Sequence, residues 1–284
     1  MAVTYDQLMA LSAPAKEFAY GDRECMLYAL GVGFGHDPMD RDELPFVYER
    51  NLKTVPTLAT VIGWDDDLIL RSGLDLHTVV HGEQRVTLHQ PIPARATVTS
   101  AQRVTAVYDK GPDRGALVLI ENEIRDQASG AAIATNLSTV FARSDGGCGG
   151  PRDGGPAPHA LPERPPDAVL DLKTRPDQAL LYRLSGDRNP LHADPDFAGL
   201  GGFERPILHG LCTYGHACRA ILKAMLDYQP DRIAAFEARF SAPVFPGETI
   251  RTEMWRDGDQ ISFRSVIPER EVVALNNGRV TLRP

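Results

Sequence analysis

The chain has 284 residues, 43% of them hydrophobic and 24% charged; this is enough for about two domains with real cores and excludes disorder along the whole length. A formal charge of −8 with a pI near 5.5 argues against a protein that grips phosphate backbones through clustered Lys and Arg, so nucleic acid is not an expected partner. No apolar stretch approaches the roughly 20 residues of a spanning helix, and Met1 to Ala19 lacks the basic-then-apolar layout of a signal peptide, so no membrane partner and a cytoplasmic location are expected.

In chain order, Cys25 comes first of four cysteines, with Cys148, Cys212 and Cys218. They form no CxxC pair and no secreted disulfide framework, which fits a reducing compartment and no structural metal. Gly31-Val32-Gly33-Phe34-Gly35 is Gly-x-Gly-x-Gly rather than the dinucleotide fingerprint, and no βαβ pattern surrounds it. Asp65-Asp66-Asp67 reads as a solvated loop. Strand patterning follows at Arg85–His89, Ala96–Val107, Ala116–Arg125 and Ile133–Phe141. The run Ser144 to Pro166, SDGGCGGPRDGGPAPHALPERPP, is a Gly/Pro-rich linker, flexible or partly extended, that divides the chain into units 1–143 and 167–284.

After the linker, Leu211, Tyr214, Cys218, Ile221, Leu222 and Met225 recur at helical spacing and predict one helix of about four turns. Strands are expected at Phe236–Phe240, Thr249–Trp255, Gln260–Ile267 and Val272–Leu282, with the Asp257-Gly258 turn joining two of them as a hairpin. A helix lying on a curled antiparallel sheet makes an α+β layer architecture.

The halves echo each other. Leu27-Tyr28-Ala29-Leu30 matches Leu181-Tyr182-Arg183-Leu184 at an offset of 154, and Glu83-Gln84-Arg85 matches Glu237-Ala238-Arg239 at the same offset, which suggests a duplicated unit. At that offset Asp187 corresponds to Gly33 and His192 to Pro38, so only the second half can do acid–base work there.

Two segments carry candidate chemistry. In Leu184-Ser185-Gly186-Asp187-Arg188-Asn189-Pro190-Leu191-His192, Gly186 and Pro190 break regular structure around an Asp and a His that suit proton transfer over one water. The same residues also suit a plain turn in which Asp187 and Asn189 bond local backbone, as such residues often do. In Arg205-Pro206-Ile207-Leu208-His209-Gly210-Leu211, Gly210 stands at a helix start whose free N–H groups could stabilise an oxyanion. Ordinary capping, with His209 as a core histidine, is the other reading. There is no GxSxG, HExxH or P-loop.

Together and in this order, YRLSGDRNPLH and RPILHGLCTYG resemble the signature of the MaoC-like (R)-specific enoyl-CoA hydratase (hydratase 2) family. YALGVG (Tyr28–Gly33), VPTLA (Val55–Ala59), VVHGEQ (Val79–Gln84), DKG (Asp109–Gly111) and ARFSAPVFPGETIRTEMW (Ala238–Trp255) are similar to further segments, so the likeness covers nearly the whole chain. It implies a double hot-dog fold, each half a sheet wrapped around a long helix. The activity it implies is reversible syn hydration of trans-2-enoyl-CoA to (3R)-3-hydroxyacyl-CoA, in fatty acyl β-oxidation or sterol side-chain metabolism. On the resemblance, Asp187 and His192 are the catalytic pair, Asn189 supports their loop, and the Gly210 N–H binds the thioester oxygen. His81, Gly82, Lys110 and Phe240 line the acyl-CoA site. No cofactor is needed and a homodimer is expected. The chain ends Val280-Thr281-Leu282-Arg283-Pro284 without an SKL-type signal, which points to the cytoplasm. An acyl-CoA thioesterase on this fold would need a carboxylate on or facing the long helix, and Leu211 to Met225 has none; a non-catalytic acyl-CoA-binding protein would not need Asp187 and His192.

Overall fold

In the computed structural model, which describes residues 3–283, the first half begins with α1 (Tyr5–Met9), β1 (Ser12–Tyr20), α2 (Asp22–Gly31), α3 (Leu44–Val47) and α4 (Asp67–Leu70). Strands β2 (Val79–Leu88), β3 (Ala96–Asp109), β4 (Ala116–Asp126) and β5 (Ala132–Ala142) complete it. The second half runs β6 (Ala168–Lys173), α5 (Gln178–Tyr182), α6 (Pro195–Leu200), α7 (Gly210–Met225), β7 (Ile233–Phe240), β8 (Thr249–Asp257), β9 (Gln260–Ile267) and β10 (Val272–Leu282). All eight strands expected from alternation are present. Gly258, with φ +63, is the first of two residues turning β8 into β9, a position where a two-residue hairpin favours glycine.

The strands join into one ten-stranded sheet in the order β1-β3-β4-β5-β2-β7-β10-β9-β8-β6. The seam between halves is β2 against β7, where Glu83 pairs with Arg239 and Arg85 with Glu237. The sequence echo Glu-x-Arg thus meets itself antiparallel and crosses charges: Arg239 reaches Glu83 at 2.6 Å and Arg85 reaches Glu237 at 3.8 Å. Opposite charges directly across a ladder stabilise that register over its slipped neighbours.

Strands β1 and β6 were not legible in the sequence, and both lie at sheet edges. β1 contains Pro14, which falls in a register break between Ala13 and Lys16; a proline is tolerated at an edge or bulge because no ladder hydrogen bond is lost.

α7 is buried along its length from Leu211 through Leu222 rather than on one stripe, because β6, β8 and β10 wrap one side and the turn at Pro56–Thr60 closes the other. The first half departs from the expectation of a long helix in each half. At the offset of 154, α7 corresponds to the short 3-10 turn Pro56–Thr60, irregular chain and the one-turn α4. Gly63, with φ +66, before α4 and Gly73, with φ +78, after it keep these pieces from joining into one long helix.

The Gly/Pro-rich run is a strap pinned to both halves rather than a loose linker. The Asp109 carboxylate accepts backbone N–H bonds from Gly111 and Gly147 at 2.8 Å and Gly149 at 2.9 Å, which holds its pKa below the usual carboxylate range. Farther on, Tyr108 donates its hydroxyl to Gly154 O and Asn277 donates to His159 O. Asp109→Ala should therefore free the strap: limited trypsinolysis after Arg152 accelerates, and an unchanged cleavage rate would show that Asp109 does not hold it.

Candidate active site

The chain enters the site through a break in helix. α5 continues into a 3-10 turn at Arg183–Ser185 and stops at Gly186, whose φ of +148 no side-chain-bearing residue adopts readily. A Cβ on Gly186 would also lie 3.0 Å from Trp64 Cβ. Asp187 follows, and its Oδ1 accepts the Asn189 N–H at 3.0 Å. Asn189 caps the next 3-10 turn, Pro190–His192, by accepting the Leu191 N–H at 3.0 Å. The plain turn reading and the catalytic one therefore hold together: one carboxylate oxygen builds the loop, and the other faces His192.

Asp187 Oδ2 lies 4.0 Å from His192 Nε2. His192 Nδ1 is 2.9 Å from Ile207 O; a carbonyl only accepts, so Nδ1 carries the hydrogen and Nε2 presents its lone pair to the site. Burial pushes the His192 pKa down despite the opposing pull of Ile207 O and Asp187. A water 2.8 Å from each of two atoms 4.0 Å apart fits between them, at about the ordinary hydrogen-bond length.

His209 joins this pair. Its ring stacks on His192 with centroids 3.7 Å apart and planes at 25°, and its Nε2 lies 3.3 Å from Asp187 O. It is 1% exposed, and burial, helped by the neighbouring His192, lowers its pKa to about 3. Asp187, His192 and His209 bring ligand-type atoms within 4.8 Å of one another. Stacked rings, however, send their lone pairs side by side rather than toward one point, so this trio fits proton transfer better than tetrahedral metal coordination.

His209 is also the residue before α7, and Gly210 is that helix's first residue; its N–H is among those without an intrahelical acceptor. Phe240 lies beneath it, 3.2 Å from where a Cβ would stand. The His81 ring meets Phe240 at 4.7 Å, since β2 and β7 are neighbours in the sheet. Burial lowers the His81 pKa to about 4. Gly82 sits at a register shift in the β2–β5 ladder. Lys110 stands apart, in the β3–β4 turn: its ammonium donates to Arg152 O of the strap and lies over the Tyr108 ring. The sequence reading missed His209 as a partner of His192 and Trp64 as the packing surface of Gly186. Adjacency to Gly210 was the only sequence signal for the first; none existed for the second.

The first half lacks every element of this arrangement. A Cβ on Gly33 would be 2.9 Å from both Arg219 Nη1 and His216 Nε2, and Arg219 is locked to buried Glu43 at 2.8 Å. At the offset of 154, Gly210 corresponds to Pro56, which has no N–H to offer an oxyanion. Where the first half would have a long helix there is an apolar cavity of about 250 Å³, lined by Leu58, Val61, Ile62 and Trp64 among others and bounded by Leu184 and Ser185.

Buried His209 and His216 make stability pH-dependent. Both titrate near 6.5 in an unfolded chain but at about 3 and about 4 here. Between those values the unfolded chain binds more protons, so their contribution is full above about pH 6.5 and is lost as pH falls toward 4. Tm should fall between pH 7 and pH 5, and His216→Asn should flatten that slope even if it lowers Tm overall; an unchanged slope would contradict the assignment.

Residues 18–144 match the MFE-2 hydratase 2 N-terminal domain and residues 158–277 the MaoC like domain. The chain is 38% identical over 292 residues to "Enoyl-CoA hydratase 2, peroxisomal" of Arabidopsis thaliana, covering 95% of this chain and 93% of that one. The crystal structure of a MaoC-like dehydratase from Phytophthora capsici superimposes with a TM-score of 0.86 at 32% identity, covering 98% of each chain. Full-length peroxisomal multifunctional enzyme type 2 from Drosophila melanogaster gives a TM-score of 0.83 at 36% identity, over 95% of this chain and 48% of that one. The ten-stranded double hot-dog thus has its counterparts along nearly the whole length, and the chain belongs to the MaoC-like hydratase 2 family.

Proposed function

We propose that this protein is an (R)-specific enoyl-CoA hydratase, which reversibly adds water syn across trans-2-enoyl-CoA to give (3R)-3-hydroxyacyl-CoA. The observation that carries the reading is the 4.0 Å gap between Asp187 Oδ2 and the unprotonated His192 Nε2, beside the start of the buried helix that bears Gly210. A water held between them loses a proton to the pair as its oxygen attacks Cβ, and the pair returns a proton to Cα on the same face. Negative charge collects meanwhile on the thioester oxygen, where the Gly210 N–H stabilises it as a donor that needs no reorganisation. The thioester itself acidifies Cα and makes Cβ electrophilic, so the residues present suffice without a cofactor. His81, Gly82 and Phe240 would line the thioester end, and the two units, 1–143 and 167–284, would divide acyl binding from chemistry.

The test is loss of enoyl-thioester absorbance on mixing with trans-2-enoyl-CoA, followed by chiral analysis of the product. A 3R product without free CoA is expected; a 3S product would reject the hydratase 2 assignment, and stoichiometric thiol release would favour a thioesterase. In the proposed role for Lys110, two of its ammonium hydrogens remain for a CoA phosphate. Lys110→Ala should then raise KM with kcat nearly constant, and added salt should narrow the difference; an unchanged KM at low ionic strength would leave Lys110 as a strap contact only. A role in fatty acyl β-oxidation, a homodimeric assembly and a cytoplasmic location belong to the same proposal. Four free, buried cysteines suit a reducing compartment, and sedimentation measures the assembly. Among the described residues no helix is long and apolar enough to cross a membrane.

A further inference from the structure

The two segments that carry the site are tied together by an exchange between histidines. His192, on the Asp187 loop, donates its Nδ1–H at 2.9 Å to Ile207 O, on the segment that leads into α7. His209, on that segment, lies with Nε2 3.3 Å from Asp187 O, back on the loop; a carbonyl only accepts, so Nε2 carries the hydrogen of this ring. Each ring thus holds a carbonyl of the other's segment, and the rings stack between the two bonds with centroids 3.7 Å apart. Among the described residues these are the two hydrogen bonds that join residues 187–192 to residues 205–210. Both histidines are buried, so water competes poorly for either carbonyl.

His209 is bound into the helix start as firmly as into the loop. Its own carbonyl accepts the Cys212 N–H at 3.0 Å and the Thr213 N–H at 3.1 Å, and the preceding Leu208 N–H donates to Val244 O at 2.7 Å. Gly210 is the next residue. One side chain and one peptide unit therefore make a stiff link from the backbone of Asp187 to the Gly210 N–H. The acid–base pair and the oxyanion donor must meet one thioester at two places, Cα–Cβ and the carbonyl oxygen, so their separation has to be set before substrate arrives. Burial keeps the His209 ring neutral, with its pKa at about 3, and its Nε2–H is already committed to Asp187 O; this suits a spacer and not a proton carrier.

From this exchange, and resting on the hydratase reading above, we infer that His209 is a positioning residue: its Nε2–H, acting through Asp187 O, sets the distance between the Asp187–His192 pair and the Gly210 N–H, and it exchanges no proton with substrate itself.

The experiment compares kcat and KM of the full-length wild type, His209→Phe and His209→Gln with trans-2-enoyl-CoA. Phenylalanine keeps a ring to stack on His192 and removes the donor; glutamine gives up the ring and keeps an amide N–H₂ with the reach of Nε2. His209→Phe should lower kcat by about 10- to 100-fold, the cost of a misplacement of about 1 Å, with KM within about threefold of wild type. His209→Gln should recover kcat to within about fivefold of wild type. Wild-type kcat in folded His209→Phe, or a folded glutamine variant as slow as the phenylalanine one, would overturn the inference and leave the hydratase assignment standing. If the wild type hydrates no enoyl-CoA, the hydratase reading fails and the role fails with it. Should His209→Phe not fold, nitrogen NMR of the wild-type imidazoles still decides. It should show the Nε2–H tautomer at His209 and no titration of that ring near pH 6.5, the ordinary value for histidine at about that pH. The Nδ1–H tautomer, or a ring that titrates there, would overturn the inference.

Discussion

Asp187→Asn and His192→Gln should each lower kcat for enoyl-CoA hydration by about two to four orders of magnitude, the range for losing a positioned acid or base. The asparagine keeps an oxygen for the Asn189 N–H that builds the loop but turns an N–H₂ toward His192 Nε2, 4.0 Å away. A donor then faces the lone pair that should receive the water's proton, and the water loses its second acceptor. His192→Gln likewise removes the lone pair while leaving a group able to bond Ile207 O. Because one water needs both residues, the double variant should lose much less than the product of the single losses. Circular dichroism and Tm must show each variant folded, and near-wild-type turnover by either folded variant would refute the pair. Burial holds the wild-type His192 below its usual range, so the acid limb of kcat/KM should fall below about pH 6.5.

How far the sequence spoke depended on whether a feature was periodic, local or tertiary. Central strands such as β3 and β9 alternate buried and less buried positions and were legible as strands; β1 and β6 carry less of that signal because an edge strand need not bury both neighbours. The Asp-x-Asn-Pro-x-His loop was legible because its turns are made by its own side chains. The stack of His209 on His192 was not, since it joins residues 17 apart through the packing of α7. Composition described Ser144–Pro166 correctly as poor in core residues, yet its order comes from Asp109, far away in sequence. Nor could periodicity show that Pro56–Thr60 is a single turn where the other half has a helix, or that a cavity fills the difference.

The duplicated frame itself suggests how to remove the oxyanion donor alone. Pro56 occupies in the first half the position Gly210 occupies in the second, and each is the first residue of its helical segment. Proline is well tolerated there, because that residue's N–H has no intrahelical acceptor in any case. The residue before it must be extended, and His209 already is, at φ −58 and ψ 136. Gly210→Pro should therefore leave α7 formed while deleting one N–H, at a cost of about 10²- to 10³-fold in kcat. The ring adds bulk toward Phe240, which a Cβ at this position would approach to 3.2 Å. Gly210→Ala carries the same Cβ and keeps the N–H, so it separates crowding from the lost donor. The alanine variant should retain most of the turnover that the proline variant loses. If the two lose equally, crowding against Phe240 accounts for the effect and the Gly210 N–H is not the oxyanion donor. If the folded proline variant keeps wild-type kcat, the developing charge must be met elsewhere.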